Sequence, residues 1–416
     1  MWNAVRSVAS LLMSFGLLII ANGMFFTLLS IRGKLEGFST ETIGFIMAGQ
    51  FVGLLIGAIY ALKVVRGVGH IRAFGTFASI LSVAVLTHIL VINPVVWFAL
   101  RIVSGFCMAG MVMVCESWLN ERAENNTRGQ IFSLYMMINY FGGGLGQFVL
   151  TIADPAEFQL FVIASIIFSL ALVPVLMTGA SAPRPVSPQR MSFRELYGIS
   201  PLGVIGTMCA GMVNATMNSM GPVFAAESGL RLAEISTFMA AAIMGGMVLQ
   251  FPVGRWSDRW DRRSVLLIMA TGSALAAGAI LQAGGREVYW LIAGGAVFGS
   301  FCFTIYPLAA AQINDLADPA KLAQISSGLL IAYGTGAVCG PIIASQLMGE
   351  FGPRGMFFFI ATVTGGLALF VVWRMFRRNR SVKSKATYLP LGGWGLSSKQ
   401  FYTSTLRALR GTRNGD

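Results

Sequence analysis

Charged side chains are scarce in the long apolar stretches of this sequence, so the few that occur there are the first candidates for chemistry. Arg101 lies inside one such stretch, and His88 lies near the end of the stretch before it. A guanidinium in an apolar segment is costly unless it faces a polar interior. Arg101 therefore either binds an anionic ligand or extends outward to a polar boundary. His88 is interpreted as a hydrogen-bonded core residue or as a proton carrier that titrates near neutral pH.

Glu116 is the third ionisable candidate inside an apolar stretch. It follows Arg101 by fifteen residues, which is about 22 Å along a helix, so the two side chains cannot pair. Glu116 is therefore either a member of a charge network at a helix end or a protonatable site.

Uncharged polar side chains in the other apolar stretches complete the candidate pathway. They are Asn22, Gln50, Asn139, Asn214, Asn218 and Tyr306. Asn214 and Asn218 are four residues apart and share one face of a helix. The alternative for each residue is a hydrogen bond between two helices. Together these residues predict a mostly neutral site, suited to a small, neutral or mildly anionic, part-apolar solute.

The elements that position these residues follow from composition. Hydrophobic residues make up 55% of the chain and charged residues 11%, whereas a soluble domain carries about 25% charged residues. The apolar residues form blocks of roughly 20 or more, the length at which a helix crosses the hydrocarbon core of a bilayer. We predict an all-α membrane protein with twelve transmembrane helices. The predicted spans are 8–31, 42–62, 71–93, 95–119, 129–151, 158–179, 201–226, 235–253, 264–283, 288–311, 324–349 and 354–373.

A polar stretch rich in proline and arginine divides these spans six and six. We therefore predict four segments along the chain. They are an N-terminal six-helix bundle at 1–180, a cytoplasmic linker at 181–200, a C-terminal six-helix bundle at 201–373 and a basic cytoplasmic tail at 374–416.

The two predicted bundles also look like copies of one unit. With a shift of 194 residues and no gap, Gly105 falls on Gly299 and Glu121 falls on Asp315. Further matches keep the same register into the next span, which indicates a duplicated, pseudo-symmetric six-helix unit. Such a repeat is the usual build of a transporter whose halves move around a central site.

The basic residues predict the orientation of the chain. If both termini lie on one side, five of the thirty basic residues fall in loops on the other side, Arg101 falls in a span, and the remaining twenty-four lie on the terminal side. Basic loops favour the cytoplasm, so both termini are predicted there. The tail at 374–416 is expected to contact anionic lipid head groups. Because the charge is spread over loops that flank the membrane, a nucleic-acid partner is not expected.

Several classes of chemistry find no support in the sequence. The five cysteines show no CxxC spacing, so neither a zinc site nor a disulfide framework is predicted. We find no phosphate-binding loop, no cluster of metal ligands and no Gly-x-Ser-x-Gly motif. An enzyme is therefore not expected, and neither a cofactor nor a metal is predicted.

The run GRWSDRWDRR, between spans eight and nine, carries the most specific pattern. It resembles the loop signature of the major facilitator superfamily, Gly-x-x-x-Asp-Arg-x-Gly-Arg-Arg, with Asp261 where glycine is usual. The corresponding first-half loop, 57–72, is basic but has no Asp.

The loop after span four carries a second pattern. The seven-residue spacing of Glu121 and Arg128 is similar to that in the same loop of sugar-porter relatives. The resemblance implies a cytoplasmic gate built from Gly254, Asp258, Arg259, Arg262, Arg263, Glu116, Glu121 and Arg128.

Three further runs resemble patterns of the same family. Arg101 opens RIVSGFCMAG, which is similar to the span-four pattern of the family and adds proton coupling as a third role for Arg101. GAVCGPIIA in span eleven resembles the antiporter pattern of span five, which implies close helix packing at Gly336 and Gly340 and a bend at Pro341. ANGMFFTLLSIRG, ESWLN and SDRWDRR together resemble the YcaD-like bacterial branch.

The resemblance implies a secondary active transporter of the bacterial inner membrane that works by alternating access. Its partners would be a small-molecule substrate and a proton or counter-solute. The alternative is a non-transporting sensor or scaffold on the same fold. Two observations support that alternative. Asn22 stands where proton-coupled relatives often carry an acid, and the first-half loop has no Asp.

Overall fold

The computed structural model describes residues 2–122, 128–177, 191–282, 288–318 and 321–377. Within these residues all regular secondary structure is helical. The helices of the first half are α1 (Trp2–Leu35), α2 (Thr40–Val68), α3 (His70–Leu90), α4 (Pro94–Arg122), α5 (Arg128–Val149) with a 3-10 turn (Leu150–Ile152), α6 (Gln159–Leu170) and α7 (Val173–Leu176). The remaining helices are α8 (Phe193–Ile199), α9 (Pro201–Glu227), α10 (Leu232–Arg259), α11 (Arg262–Gln282), α12 (Val288–Cys302), α13 (Ile305–Leu316), α14 (Leu322–Phe351) and α15 (Arg354–Arg377).

Two of the predicted spans are broken near a proline. Helix α6 ends at Leu170, four residues before Pro174, and Phe303 between α12 and α13 lies four residues before Pro307. A proline ring clashes with the carbonyl of the residue four positions earlier and removes one N–H donor. The chain therefore resumes as a new helix, α7 or α13, at each break.

The apolar, all-helical membrane architecture predicted from the sequence is confirmed. Ten helical segments of the described residues are long and apolar enough to cross a membrane. An eleventh is counted when α8 and α9, which are bent by 118°, are taken as one span. Helix α5 is not among them, so the count of twelve stays a prediction.

The helix bounds keep a repeat register between the halves. Helix α2 begins at Thr40 and α10 at Leu232, and α3 begins at His70 and α11 at Arg262, which are shifts of 192 residues. This is the arrangement expected of a duplicated unit.

The halves pack against each other mainly through three helix pairs, α2 with α14, α5 with α10 and α1 with α9. Smaller contacts join α2 to α9 and α10 to the 3-10 turn. Helices α1 and α9 end at one face of the bundle, which we call the Lys34 face. Helix α10 ends and α11 begins at the opposite face, the Arg262 face.

Part of the predicted linker is helical. Residues 178–190 lie outside the described residues, but Ser192 caps α8 by accepting a hydrogen bond from the Glu195 backbone N–H at 3.3 Å. Leu196 is buried and packs beside Gly328 of α14. Likewise, α15 extends to Arg377, three residues past the predicted start of the tail, and the rest of the tail lies outside the described residues.

Candidate functional site

Arg101 of α4 is completely buried, so its side chain does not extend to a polar boundary. Its guanidinium carbon lies 4.3 Å from the centre of the Phe26 ring and 5.6 Å from that of Phe25, both on α1. Cation–π contacts of this kind stabilise the charge in part. The atoms Nε, Nη1 and Nη2 have no hydrogen-bond partner. Because an unmatched buried charge is costly, these donors are well suited to an anionic or strongly accepting group.

His88 of α3 shares the Phe25 ring with Arg101. Its imidazole meets Phe25 edge to face at a centroid distance of 5.3 Å. The Nδ1–H donates to the Ala84 carbonyl at 2.6 Å, and Nε2 is buried without a partner. The His88 ring is therefore fixed by its own helix, and its second nitrogen is left to interact with a ligand or a proton.

A second polar cluster lies in the C-terminal half. Asn214 of α9 accepts a hydrogen bond from the Cys302 thiol at 3.2 Å, while its Nδ2 has no partner. The rings of Tyr306 and Tyr333 have centroids 5.0 Å apart. This cluster combines amide and phenol groups with aromatic surface.

One hydrogen bond of this region joins the two halves. The Tyr140 hydroxyl of α5 donates to Gln250 Oε1 of α10 at 3.0 Å, and Tyr140 also packs edge to face against Phe303. Sequence reasoning missed Tyr140, Gln250 and Tyr333, because a tyrosine or glutamine in an apolar stretch has the same local pattern as a core residue. Their only signal was that they are polar groups within predicted spans.

The other predicted pathway residues are buried, and no side-chain hydrogen bonds among the described residues connect them. Asn22, Gln50, Asn139 and Asn218 lie on α1, α2, α5 and α9. Gln50 Oε1 and Asn139 Oδ1 have no hydrogen-bond partner. Within the described part of the chain, no side-chain hydrogen bond joins these four residues to one another or to Arg101.

Glu116 lies inside the N-terminal half and not at the surface. Its Oε1 accepts a hydrogen bond from the Tyr135 hydroxyl at 2.5 Å, and both side chains are buried. The Tyr135 ring stacks on Phe15 with centroids 4.2 Å apart. The structure thus shows Glu116 linking α4 to α5 in the core of one half.

The loop signature forms a buried ion network within the C-terminal half. Arg262 Nε donates to Asp315 Oδ2 at 2.7 Å, Nη2 to Asp258 Oδ1 at 3.1 Å and Nη1 to Ser257 Oγ at 3.0 Å. The Arg262 and Asp315 side chains are 1% and 2% exposed. Three donors of one guanidinium are therefore matched by α10 and α13, and Asp315 was not among the predicted gate residues.

The remaining predicted gate residues are dispersed. Gly254 is buried in α10, whereas Arg259 and Glu121 are exposed. Arg263 pairs with Asp261 at 2.6 Å, so the residue that replaces the usual glycine forms its own ion pair. Helix α5 begins at Arg128, but the side chain of Arg128 lies outside what the structure describes.

The glycines of span eleven lie at a close helix contact. A Cβ atom built on Gly336 would lie 2.1 Å from the Met208 carbonyl oxygen, and one on Gly340 would lie 2.2 Å from that of Met212. Helices α14 and α9 therefore approach too closely for a larger residue at either position. Pro341 lies inside α14, directly after this contact.

The described residues contain neither a cluster of candidate metal ligands nor a disulfide. No group of three His, Cys, Asp or Glu side chains in the described ranges is arranged to hold a metal ion. The five cysteines are free thiols, and three of them are buried.

The apolar helices and the buried polar groups between them are those of a multi-pass membrane protein. The chain belongs to the Major Facilitator Superfamily, whose family model matches residues 11–230 and again 203–411. This confirms the family resemblance seen in the loop signature.

Relatives and solved structures agree with this assignment. The chain is 26% identical over 361 residues to the MFS-type transporter YcaD of Escherichia coli O45:K1, covering 86% of this chain and 93% of the relative. An MFS-type transporter of Yersinia pestis is 26% identical over 360 residues, with the same coverage. The resemblance to the YcaD-like branch is thus confirmed.

Two solved transporters share the fold at low identity. The nucleoside transporter NupG aligns with a TM-score of 0.73 and 14% identity, covering 90% of this chain and 100% of that one. A D-xylose-proton symporter aligns with a TM-score of 0.68 and 15% identity, covering 91% and 99%.

Proposed function

We propose that this protein is a secondary active transporter of the bacterial inner membrane. It moves a small, neutral or mildly anionic, part-apolar solute by alternating access and is coupled to protons or to an exchanged solute. Family membership supports membrane transport. The observation that carries the substrate class is Arg101, whose buried guanidinium has three nitrogens without a hydrogen-bond partner.

The chemistry around the two clusters supports this class of solute. Arg101 supplies one positive charge next to the rings of Phe25 and Phe26, which favours at most a single negative charge beside an apolar group. Asn214 and Tyr306 supply neutral polar groups in the other half. The names of the two solved transporters, for nucleosides and for D-xylose, likewise describe hydroxyl-rich solutes of low charge.

The basic end of α15 supports a lipid contact. Arg377 lies 4.9 Å from the centre of the Trp373 ring, and Arg374 lies 6.0 Å from it. Tryptophan and arginine together favour the boundary between hydrocarbon and head groups. The tail at 374–416 then continues along anionic lipid head groups.

The test is transport by purified protein in proteoliposomes, with solutes chosen by a thermal-stability screen, since a ligand that prefers the native state raises the melting temperature. We expect Arg101→Ala to remove most uptake and the stabilisation by anionic solutes, because the variant lacks the buried cation. Arg101→Lys should restore part of both if charge alone is required. Full transport by a well-folded Arg101→Ala variant would contradict the role of Arg101, and stabilising ligands that never cross the membrane would favour a sensor.

A further inference from the structure

Three helices from both halves meet in one ion pair at the Lys34 face. Lys34 lies in the last turn of α1, Thr40 is the first residue of α2 and Glu227 is the last residue of α9. Lys34 Nζ lies 2.5 Å from Glu227 Oε1, and the Thr40 hydroxyl donates to the same oxygen at 2.8 Å. The Glu227 carboxylate thus connects the C-terminal half to two helices of the N-terminal half.

The charges of the helix ends around Glu227 favour this contact only while the two halves meet at the Lys34 face. Glu227 stands at the C-terminal end of its own helix, where the partial negative charge of the helix dipole opposes a carboxylate. In the other half it meets the N-terminal end of α2, which favours an anion, and Lys34, which is itself favoured at the C-terminal end of α1. The Glu227 side chain is 15% exposed, so water screens the pair only in part. When the halves separate, Glu227 loses both favourable contacts and keeps the unfavourable one.

Packing beneath the ion pair closes the same face. The Ser30 hydroxyl of α1 donates to the Ser219 carbonyl of α9 at 2.8 Å. Gly44 of α2 lies against Ser345 of α14 so closely that a Cβ atom would meet the Ser345 hydroxyl. The ion pair thus adds to a closed layer of contacts between the halves.

We propose that Lys34, Thr40 and Glu227 form a latch that holds the Lys34 face closed, and that each opening of this face breaks it. The latch rests on the proposed alternating access, because a protein whose halves never separate has no closed state to favour. It assigns a conformational role to three residues outside the substrate clusters and outside the loop signature.

The experiment measures the distance between the halves at this face. Spin labels are placed at Val95→Cys on α4 and Phe351→Cys on α14, both exposed at the Lys34 face, in a background without the five native cysteines. Glu227→Gln and Lys34→Gln should each increase the ratio of long-distance to short-distance populations by about two- to tenfold, the range for a partly buried ion pair near helix termini.

A matched control is available on the same face. Arg231 and Glu234 form an ion pair of 2.7 Å that lies within the C-terminal half. Arg231→Gln removes a cation at this face without removing a contact between the halves, so it should leave the distance distribution unchanged. The double variant Lys34→Glu with Glu227→Lys should return the distribution toward that of the parent protein, because the ion pair is restored.

Two results would overturn the latch. One is a distance distribution between the spin labels that is the same in Glu227→Gln as in Arg231→Gln. The other is a double variant whose long-distance population is as large as in the single variants. The measurement needs no substrate, so a protein that transports nothing and yet opens in Glu227→Gln would refute the proposed function and leave the latch intact.

Discussion

Two buried arginines of this molecule have opposite environments. The Arg262 guanidinium donates to acceptors on Asp315, Asp258 and Ser257. The Arg101 guanidinium instead lies against two aromatic rings and has N–H donors without acceptors. A buried charge that is fully matched contributes to a defined structure, and its loss leaves the partner uncompensated. A buried charge that is unmatched is available to bind. Arg262 therefore contributes to packing at the Arg262 face, and we propose that Arg101 binds a ligand in the N-terminal half.

The Arg262 network gives a prediction about stability. Asp315→Ala leaves the buried Arg262 charge without its shortest contact, so we expect a loss of about 3–5 kcal/mol in the free energy of unfolding. Asp258→Ala removes the longer contact of a side chain that is 30% exposed, and its cost should be about 1 kcal/mol after allowance for screening. Thermal unfolding in detergent measures both. Equal losses in the two variants would mean that the burial of each aspartate does not determine how much its contact with Arg262 contributes to stability.

Sequence analysis found part of this site and missed part for a physical reason. Asp258 and Arg262 are close in sequence, so a short loop signature identified both. Asp315 is 53 residues from Arg262 and was noticed only as the repeat match of Glu121, which is exposed. Contacts between distant segments leave no local pattern, so the partner of a buried charge becomes visible only once the helices are packed.

At the scale of helices, hydropathy predicted where the chain is apolar better than where a helix is interrupted. The predicted spans 158–179 and 288–311 run without a break through Pro174 and Pro307, but the structure breaks both spans one turn before the proline. Pro222, Pro252 and Pro341 remain inside helices. Whether a proline interrupts a helix depends on whether neighbouring helices satisfy the freed carbonyl, and that information is tertiary.

The contact between α9 and α14 gives a prediction about helix packing. In Gly340→Ala the new methyl group meets the Met212 carbonyl oxygen 2.2 Å away, so the helices must separate, at a cost of about 1–3 kcal/mol. Gly366→Ala in α15 is the matched control, because a Cβ atom there has no neighbour within 4 Å. The control should be neutral or stabilising by about 0.5–1 kcal/mol, since alanine favours a helix. A drop in melting temperature in the control equal to that in Gly340→Ala would show that the contact is not tight.

At the scale of the whole molecule, the halves share a helix register but not their chemistry. His70 and Arg262 are each the first residue of the third helix in their half. His70 forms a hydrogen bond of 3.4 Å to Ser117, while Arg262 forms the ion pair with Asp315. The C-terminal half therefore has a charged network at a position where the N-terminal half has a neutral contact, and we infer that the two halves differ in how firmly α3 and α11 are held.

The orientation of the molecule in the membrane is the last prediction. The predicted topology assigns twenty-four of the thirty basic residues to the side of the termini and five to the other side. Among the described residues, Arg32, Lys34, Arg231 and Arg354 of those five lie at helix ends of the Lys34 face, so we expect the Lys34 face to be periplasmic. Tyr289 near the start of α12 and Phe376 near the end of α15 are 79% and 86% exposed at opposite faces. In a cysteine-free background, a membrane-impermeant maleimide added to intact spheroplasts should label Tyr289→Cys at once and Phe376→Cys only after permeabilisation. Labelling of both cysteines after permeabilisation shows that lipid does not cover either one, so a difference before permeabilisation reports the side of the membrane. The reverse pattern would place the Lys34 face in the cytoplasm, and the ion pair of Lys34 and Glu227 would then close the inner side of the transporter.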